Sequence, residues 1–189
     1  MSEVGVIHGR FQPLHLGHLE YLLAGAERCD ILVVGITNPD PTLTAFEDTD
    51  PERGTAESNP CTYYERYLMV EGALAEAGVA GERIRIVPFP HSFPERLSYY
   101  APSEAVYFLT VYDEWGDTKV ARFTALGLTT DVMWRRTSKP ISGGRVRRAI
   151  AAGTDWRPLV PAAVAAVIEE RGIDERIRQA LSDGAVRGS

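Results

Sequence analysis

The apolar run Val4-Gly5-Val6-Ile7, closed by Gly9 and followed past Pro13 by Leu16, Leu19, Leu22 and Leu23 at helical spacing, is the strongest constraint on how this chain folds. A β-rich run that a glycine ends, a turn that a proline holds open and an apolar period of one helical face together describe a strand feeding a helix. The pattern then recurs. Ile31–Ile36 reads as a buried strand, Tyr63–Ala77 as a helix, Ile84–Val87 and Ala105–Val111 as strands, Lys119–Leu126 as a helix and Thr129–Met133 as a strand. Such alternation predicts an α/β fold, a doubly wound parallel sheet with helices on both faces. Ligands of these sheets sit at the carboxyl ends of the strands, near a switch point.

The first turn, GRFQPLHLGH from Gly9 to His18, lies at such an end and is built for an anion. His15 and His18 fall three apart at the start of the helix, on one face. Orphan backbone N–H groups and the positive end of the helix dipole favour negative charge there. Gly17 between the histidines lets a phosphate approach the backbone, and an imidazole, with an ordinary pKa of about 6.5, can carry charge when a polyphosphate lies against it. Arg10 at the mouth of the turn offers a planar fork for two phosphate oxygens. His8 and His91 lack comparable partners in sequence and read as structural.

A second anion site is expected late in the chain, where WRRTSKPISGGRVRRAI follows the last strand. Pro140 stops the preceding segment, Ser142 serves as an N-cap, and Gly143-Gly144 opens a helix over Arg145–Ala152. Arg147 lies within reach of a β- or γ-phosphate, whereas Arg145 and Arg148 are expected to face solvent. Both sites belong to a chain of 189 residues that is 44% hydrophobic and carries a net charge of −6. That length and content suit one domain, with a core over about residues 1–152 and a helical tail over about 153–189. The acidic balance argues against nucleic acid as a partner. The chain reads as cytoplasmic, with no bilayer-spanning run and no signal-peptide pattern. Cys29 and Cys61 are expected to be reduced structural thiols. A dinucleotide cofactor is disfavoured, because the first turn is not G-x-G-x-x-G and the second strand ends in Thr37-Asn38-Pro39.

GRFQPLHLGH together with ISGGRVR resembles the H-x-G-H nucleotidylyltransferase superfamily, and the form of both motifs is most similar to the archaeal-type nicotinamide mononucleotide adenylyltransferases. The likeness extends to Asn59-Pro60-Cys61-Thr62 with Glu65-Arg66, and to the tail from Asp155 to Pro161 and on to Glu175-Arg176-Ile177. It implies a Rossmann-like fold, a Mg²⁺–NTP substrate, release of pyrophosphate and often a homo-oligomer. By this resemblance His15 and His18 contact the triphosphate and stabilise the transition state, Arg10 sits between donor and acceptor, and Ser142 and Arg147 hold the leaving pyrophosphate. Nucleotide contacts then fall on Gly9, Arg10, Phe11, Gln12, His15, Gly17 and His18, and on Ile141, Ser142, Gly143, Gly144 and Arg147. Base choice is expected near Thr37, Asn38 and Thr110. Mg²⁺ is expected to be held mainly by the phosphates with retained waters, since the sequence shows no carboxylate cage.

Departures from the family cluster on the acceptor side. Where the nicotinamide enzymes have an Asn-rich stretch and a Trp, this chain reads His91-Ser92-Phe93-Pro94-Glu95-Arg96, and Leu109 to Trp115 stands where they have a Ser-Gly-Asn type turn. Gly144 replaces the usual Thr, and the acidic segment Pro39–Ser58 has the length of a lid, a binding loop or a disordered stretch. The triphosphate machinery is thus retained while the acceptor is changed, a combination that resembles cytidylyltransferases acting on small phosphonates. Arg96, Trp115 and Arg136 are the acceptor-binding candidates. The first reading is transfer of CMP from CTP to a small phosphonate or phosphate; the second keeps ATP and nicotinamide mononucleotide; the third is a silent nucleotide-binding module, against which His15, His18 and Arg147 together speak.

Overall fold

In the computed structural model, which describes residues 2–40, 55, 57–138 and 141–187 with the side chains of Trp115 and of residues 181–187 excepted, β1 (Ser2–Gly9) runs through the middle of a five-stranded sheet. β2 (Cys29–Thr37) and β3 (Ile84–Phe89) extend the sheet on one side of β1; β4 (Val106–Val111) and β5 (Thr129–Arg135) extend it on the other, giving the order β3-β2-β1-β4-β5. Every pairing is parallel. The expected α/β, Rossmann-like, doubly wound sheet is therefore the observed one. Its order reverses at β1 and β4, which splays the chain at their carboxyl ends and opens a crevice there.

Residue alternation along each strand divides the core. Ile7, Val34, Ile36 and Phe108 face α1 (Leu16–Ala26), α2 (Tyr63–Glu76) and the later helices, while Val6, Val33, Tyr107 and Leu109 face α3 (Glu114–Ala125). This two-residue period has one consequence for function: His8, next after Val6 on the same side of β1, is carried to the α3 face at the strand's carboxyl end.

α3 starts at Glu114, earlier than the Lys119 expected from the sequence. Asp113 caps it, its carboxylate accepting from Gly116 N at 2.9 Å. Gly116 interrupts the apolar pattern for a packing reason: a Cβ there would lie 3.0 Å from the Val111 Cα, so glycine allows the helix to begin close over β4. The last helices are α4 (Gly143–Ala151), α5 (Ala162–Glu170) and α6 (Ile173–Arg187). α5 packs on α2 and α6 on α4. Because Pro161 offers α5 no capping side chain, the Glu76 carboxylate of α2 takes that place, accepting from Ala162 N at 3.2 Å and Ala163 N at 2.7 Å. Both cysteines are free and buried, and no helix among the described residues is long and apolar enough to cross a membrane. Most of the acidic segment Pro39–Ser58 falls on residues 41–54 and 56, and the segment-stopping role of Pro140 on residues 139–140, all outside the described residues.

Candidate active site

The turn after β1 is locked from beneath. Phe11 adopts a positive φ of 52° and its ring is fully buried; Gly9 makes room for that ring, which would stand 2.8 Å from a Cβ at this position. Gln12 is buried and spends its amide on the backbone of Cys61, Nε2 donating to the carbonyl at 2.9 Å and Oε1 accepting from the N–H at 2.8 Å. Arg66 holds the neighbouring chain ends, donating to the carbonyls of Arg10 at 3.0 Å, Thr37 at 2.7 Å and Asn38 at 2.8 Å. Burial pulls the Arg66 pKa down to about 10, so the guanidinium stays charged at neutral pH while it binds these three carbonyls. The turn is thereby tied to the end of β2 and the start of α2.

His15 is the N-cap of α1, and its Nδ1 accepts from His18 N at 3.3 Å. An accepting Nδ1 places the proton of the neutral ring on Nε2. The His15 and His18 rings stack with centroids 3.7 Å apart, and Phe11 meets His18 edge-on at 5.0 Å. Gly17 fits beneath them: a Cβ there would lie 3.3 Å from the His15 ring.

The start of α4 closes against this turn. Ser142 caps the helix, its Oγ accepting from Arg145 N at 3.2 Å. Gly143 permits the approach, since a Cβ there would stand 2.7 Å from the Gln12 carbonyl oxygen. The same oxygen accepts from Arg147 Nη1 at 2.6 Å. Burial lowers the Arg147 pKa, with Cys61 acting against that and the charge of neighbouring Arg148 adding to it. An anion beside Arg147 would offset both.

Between the two turns and α3 lies a cavity of about 460 Å³ at the carboxyl ends of β1, β2 and β4. Fourteen of the fifteen sequence candidates for nucleotide contact line it: Gly9, Arg10, Phe11, Gln12, His15, Gly17, His18, Thr37, Thr110, Ile141, Ser142, Gly143, Gly144 and Arg147. Asn38 does not; it is buried at a φ of 50°. Of the acceptor candidates, neither Arg96 nor Arg136 is among the lining residues. Arg96 is exposed and lies over the Phe93 ring at 5.1 Å. Arg136 makes a bidentate pair with Glu20 at 2.6 and 3.0 Å and lies over Trp134 at 4.5 Å. Trp115 has a helical backbone, and its side chain is outside the described residues. Arg145 is exposed as expected; Arg148, also expected to face solvent, is exposed but borders the cavity.

Sequence reasoning missed part of the cavity's lining. His8, His91, Tyr112 and Lys119 belong to it, although His8 and His91 had read as structural. The signal was present in the strand period, which puts residue 8 at the end of β1 on the α3 face, but the partners come from distant segments. Among the described residues no group of three or more His, Cys, Asp or Glu side chains could hold a metal ion.

A Rossmann-like sheet with two helix N-termini and a stacked histidine pair at its switch point defines the nucleotidyltransferase class of architecture. Residues 6–149 match the cytidylyltransferase-like family model, and the chain belongs to that family of nucleotidyltransferase enzymes. It is 77% identical to the phosphonoformate cytidylyltransferase of Streptomyces viridochromogenes over 178 residues, 94% of this chain and 97% of that one. It is 33% identical to the nicotinamide-nucleotide adenylyltransferase of Methanothrix thermoacetophila over 177 residues, 92% of this chain and 94% of that one. A bifunctional NMN adenylyltransferase/ADP ribose pyrophosphatase from Francisella tularensis shares the fold at a TM-score of 0.66 and 14% identity, covering 95% of this chain and 53% of the longer one. This chain thus spans about half the length of that structure.

Proposed function

We propose that this enzyme transfers CMP from Mg²⁺–CTP to a small phosphonate of the phosphonoformate type, releasing pyrophosphate. The observation that carries the reading is the 77% identity, over nearly the whole of both chains, to a phosphonoformate cytidylyltransferase. The retained phosphate turns and the altered acceptor side support it. In this reading an acceptor phosphonate oxygen attacks the α-phosphorus in line, the bond from that phosphorus to the α,β-bridging oxygen breaks, and pyrophosphate leaves with the bond's electrons. The phosphonate is already anionic, so no general base is required and the site need only align the reactants and neutralise charge.

Each residue role follows from that requirement. Nε2 of His15, carrying the ring proton, and the His18 ring stacked against it would donate to oxygens that gain charge at the α-phosphorus. Arg147 would hold the leaving pyrophosphate at the N-terminus of α4, where the helix dipole adds to its charge. Arg10 would lie between donor and acceptor. Thr37 and Thr110 would present polar groups to the nucleoside. Mg²⁺ is part of the substrate here, coordinated by the phosphates and water.

The test is pyrophosphate release from a matrix of four nucleoside triphosphates against phosphonoformate, methylphosphonate and nicotinamide mononucleotide. Turnover is expected to be greatest with CTP and phosphonoformate; turnover confined to ATP with nicotinamide mononucleotide would reject the reading.

A further inference from the structure

His8 is 8% exposed, lines the cavity, and buries an Nδ1 that has no hydrogen-bond partner in the protein. Its ring is clamped, stacked on Phe89 at 4.6 Å with an interplanar angle of 4° and flanked by Phe123 at 5.3 Å. His91, just after β3, faces it at 5.7 Å, and Lys119 of α3 borders the same wall. The three basic side chains on this wall come from three separate segments, and burial together with mutual repulsion keeps the His8 ring neutral. An anion placed among them would relieve that repulsion.

We infer that His8, His91 and Lys119 form the subsite for a carboxylate on the acceptor, in the cavity that holds the triphosphate in the proposed reaction. The inference rests on the phosphonate reading and extends it, because phosphonoformate carries a carboxylate next to the reacting phosphonate. The wall also discriminates: Lys119 repels the cationic pyridinium ring of nicotinamide mononucleotide and attracts a carboxylate.

The experiment compares kcat/KM for phosphonoformate and methylphosphonate in the wild-type enzyme and in Lys119→Met, His91→Asn and His8→Phe, with KM for CTP measured alongside. His8→Phe keeps the stacked ring and removes its nitrogens; Lys119→Met alters a half-buried helix position and is unlike it in risk to folding. Arg96→Met, outside the cavity, is the control. The preference for phosphonoformate is expected to fall at least about tenfold in Lys119→Met and His8→Phe, as loss of a charge-assisted hydrogen bond gives, with KM for CTP within about twofold of wild type. An unchanged preference in both variants overturns the subsite. Calorimetric titration of phosphonoformate supplies a readout without turnover. If the wild type turns over only nicotinamide mononucleotide, the acceptor assignment fails; weaker phosphonoformate binding in Lys119→Met would still support the subsite, and equal or absent binding would reject it.

Discussion

At the scale of single residues, the histidines of this chain illustrate how position decides chemistry. His15 and His18 sit three apart on a helix start, and their stacking at 3.7 Å follows from local geometry alone. His18 is expected to act mainly on the transition state, so His18→Ala should lower kcat by about a hundredfold or more while changing CTP affinity only severalfold. Stopped-flow turnover and equilibrium binding check this, and an unaltered kcat would remove the mechanism. His8 behaves differently because burial, then Lys119 and His91, hold its pKa well below the ordinary 6.5. The folded protein keeps this ring neutral while the unfolded chain protonates it as pH falls below about 6.5, so folding loses stability on that side of the window and not above it. Urea unfolding at pH 7.5 and 5.5 should show the wild type losing about 1 kcal/mol more than His8→Phe between the two conditions.

At the scale of elements, the site is a meeting of two helix starts. The GRFQPLHLGH turn and the Ser142 cap were legible because each is a local pattern: a strand end, a helix period, a capping residue. Gly143-Gly144 was legible as a phosphate opening, but the structure gives the two glycines different reasons. Gly143 touches the Gln12 carbonyl, whereas a Cβ at Gly144 would meet first the end of the Arg148 side chain at 3.3 Å. Gly143→Ala should therefore push the turns apart, break the Arg147–Gln12 bond and cut kcat/KM at least about tenfold, with about 1–3 kcal/mol of lost stability. Gly144→Ala should keep the wild-type unfolding temperature; differential scanning calorimetry on the two variants tests the contrast. The early start of α3 was not legible, because Gly116 looks like a turn residue until Val111 is seen beneath it.

At the scale of the whole molecule, the C-terminal helices brace the catalytic turn. Arg176 of α6 donates to the Glu65 carboxylate at 2.9 and 3.0 Å and to the Pro60 carbonyl at 2.7 Å. Glu65 also completes the capping box of α2 with Thr62. Burial pushes the Glu65 pKa up, but the Arg176 and Thr62 bonds outweigh it and leave the net shift downward. Arg176→Met strands that carboxylate next to Cys61, the residue that pins Gln12. It should destabilise the protein by about 2 kcal/mol, less than a fully buried pair because the Arg176 side chain is 42% exposed. Chemical denaturation measures the loss, and Arg176→Met with Glu65→Gln should recover part of it.

Backbone periodicity, capping and glycine placement act over a few neighbouring residues, so the alternating α/β order and the turns that open α1 and α4 could be read from the amino-acid order. It also exposed the resemblance between the Asn59–Arg66 and Asp155–Ile177 segments and a known family, without showing that Arg176 joins them. The wall of His8, His91 and Lys119, by contrast, is assembled by tertiary packing. Arg96 and Arg136, legible as charges, lie over Phe93 and Trp134, with Arg136 paired to the cavity-lining Glu20, while His8, His91 and Lys119 line the cavity themselves. Their convergence depends on the parallel register of β1, β2 and β3 and on how α3 lies over the sheet. Those are long-range packing relations, and no local pattern of residues encodes the distance between such segments.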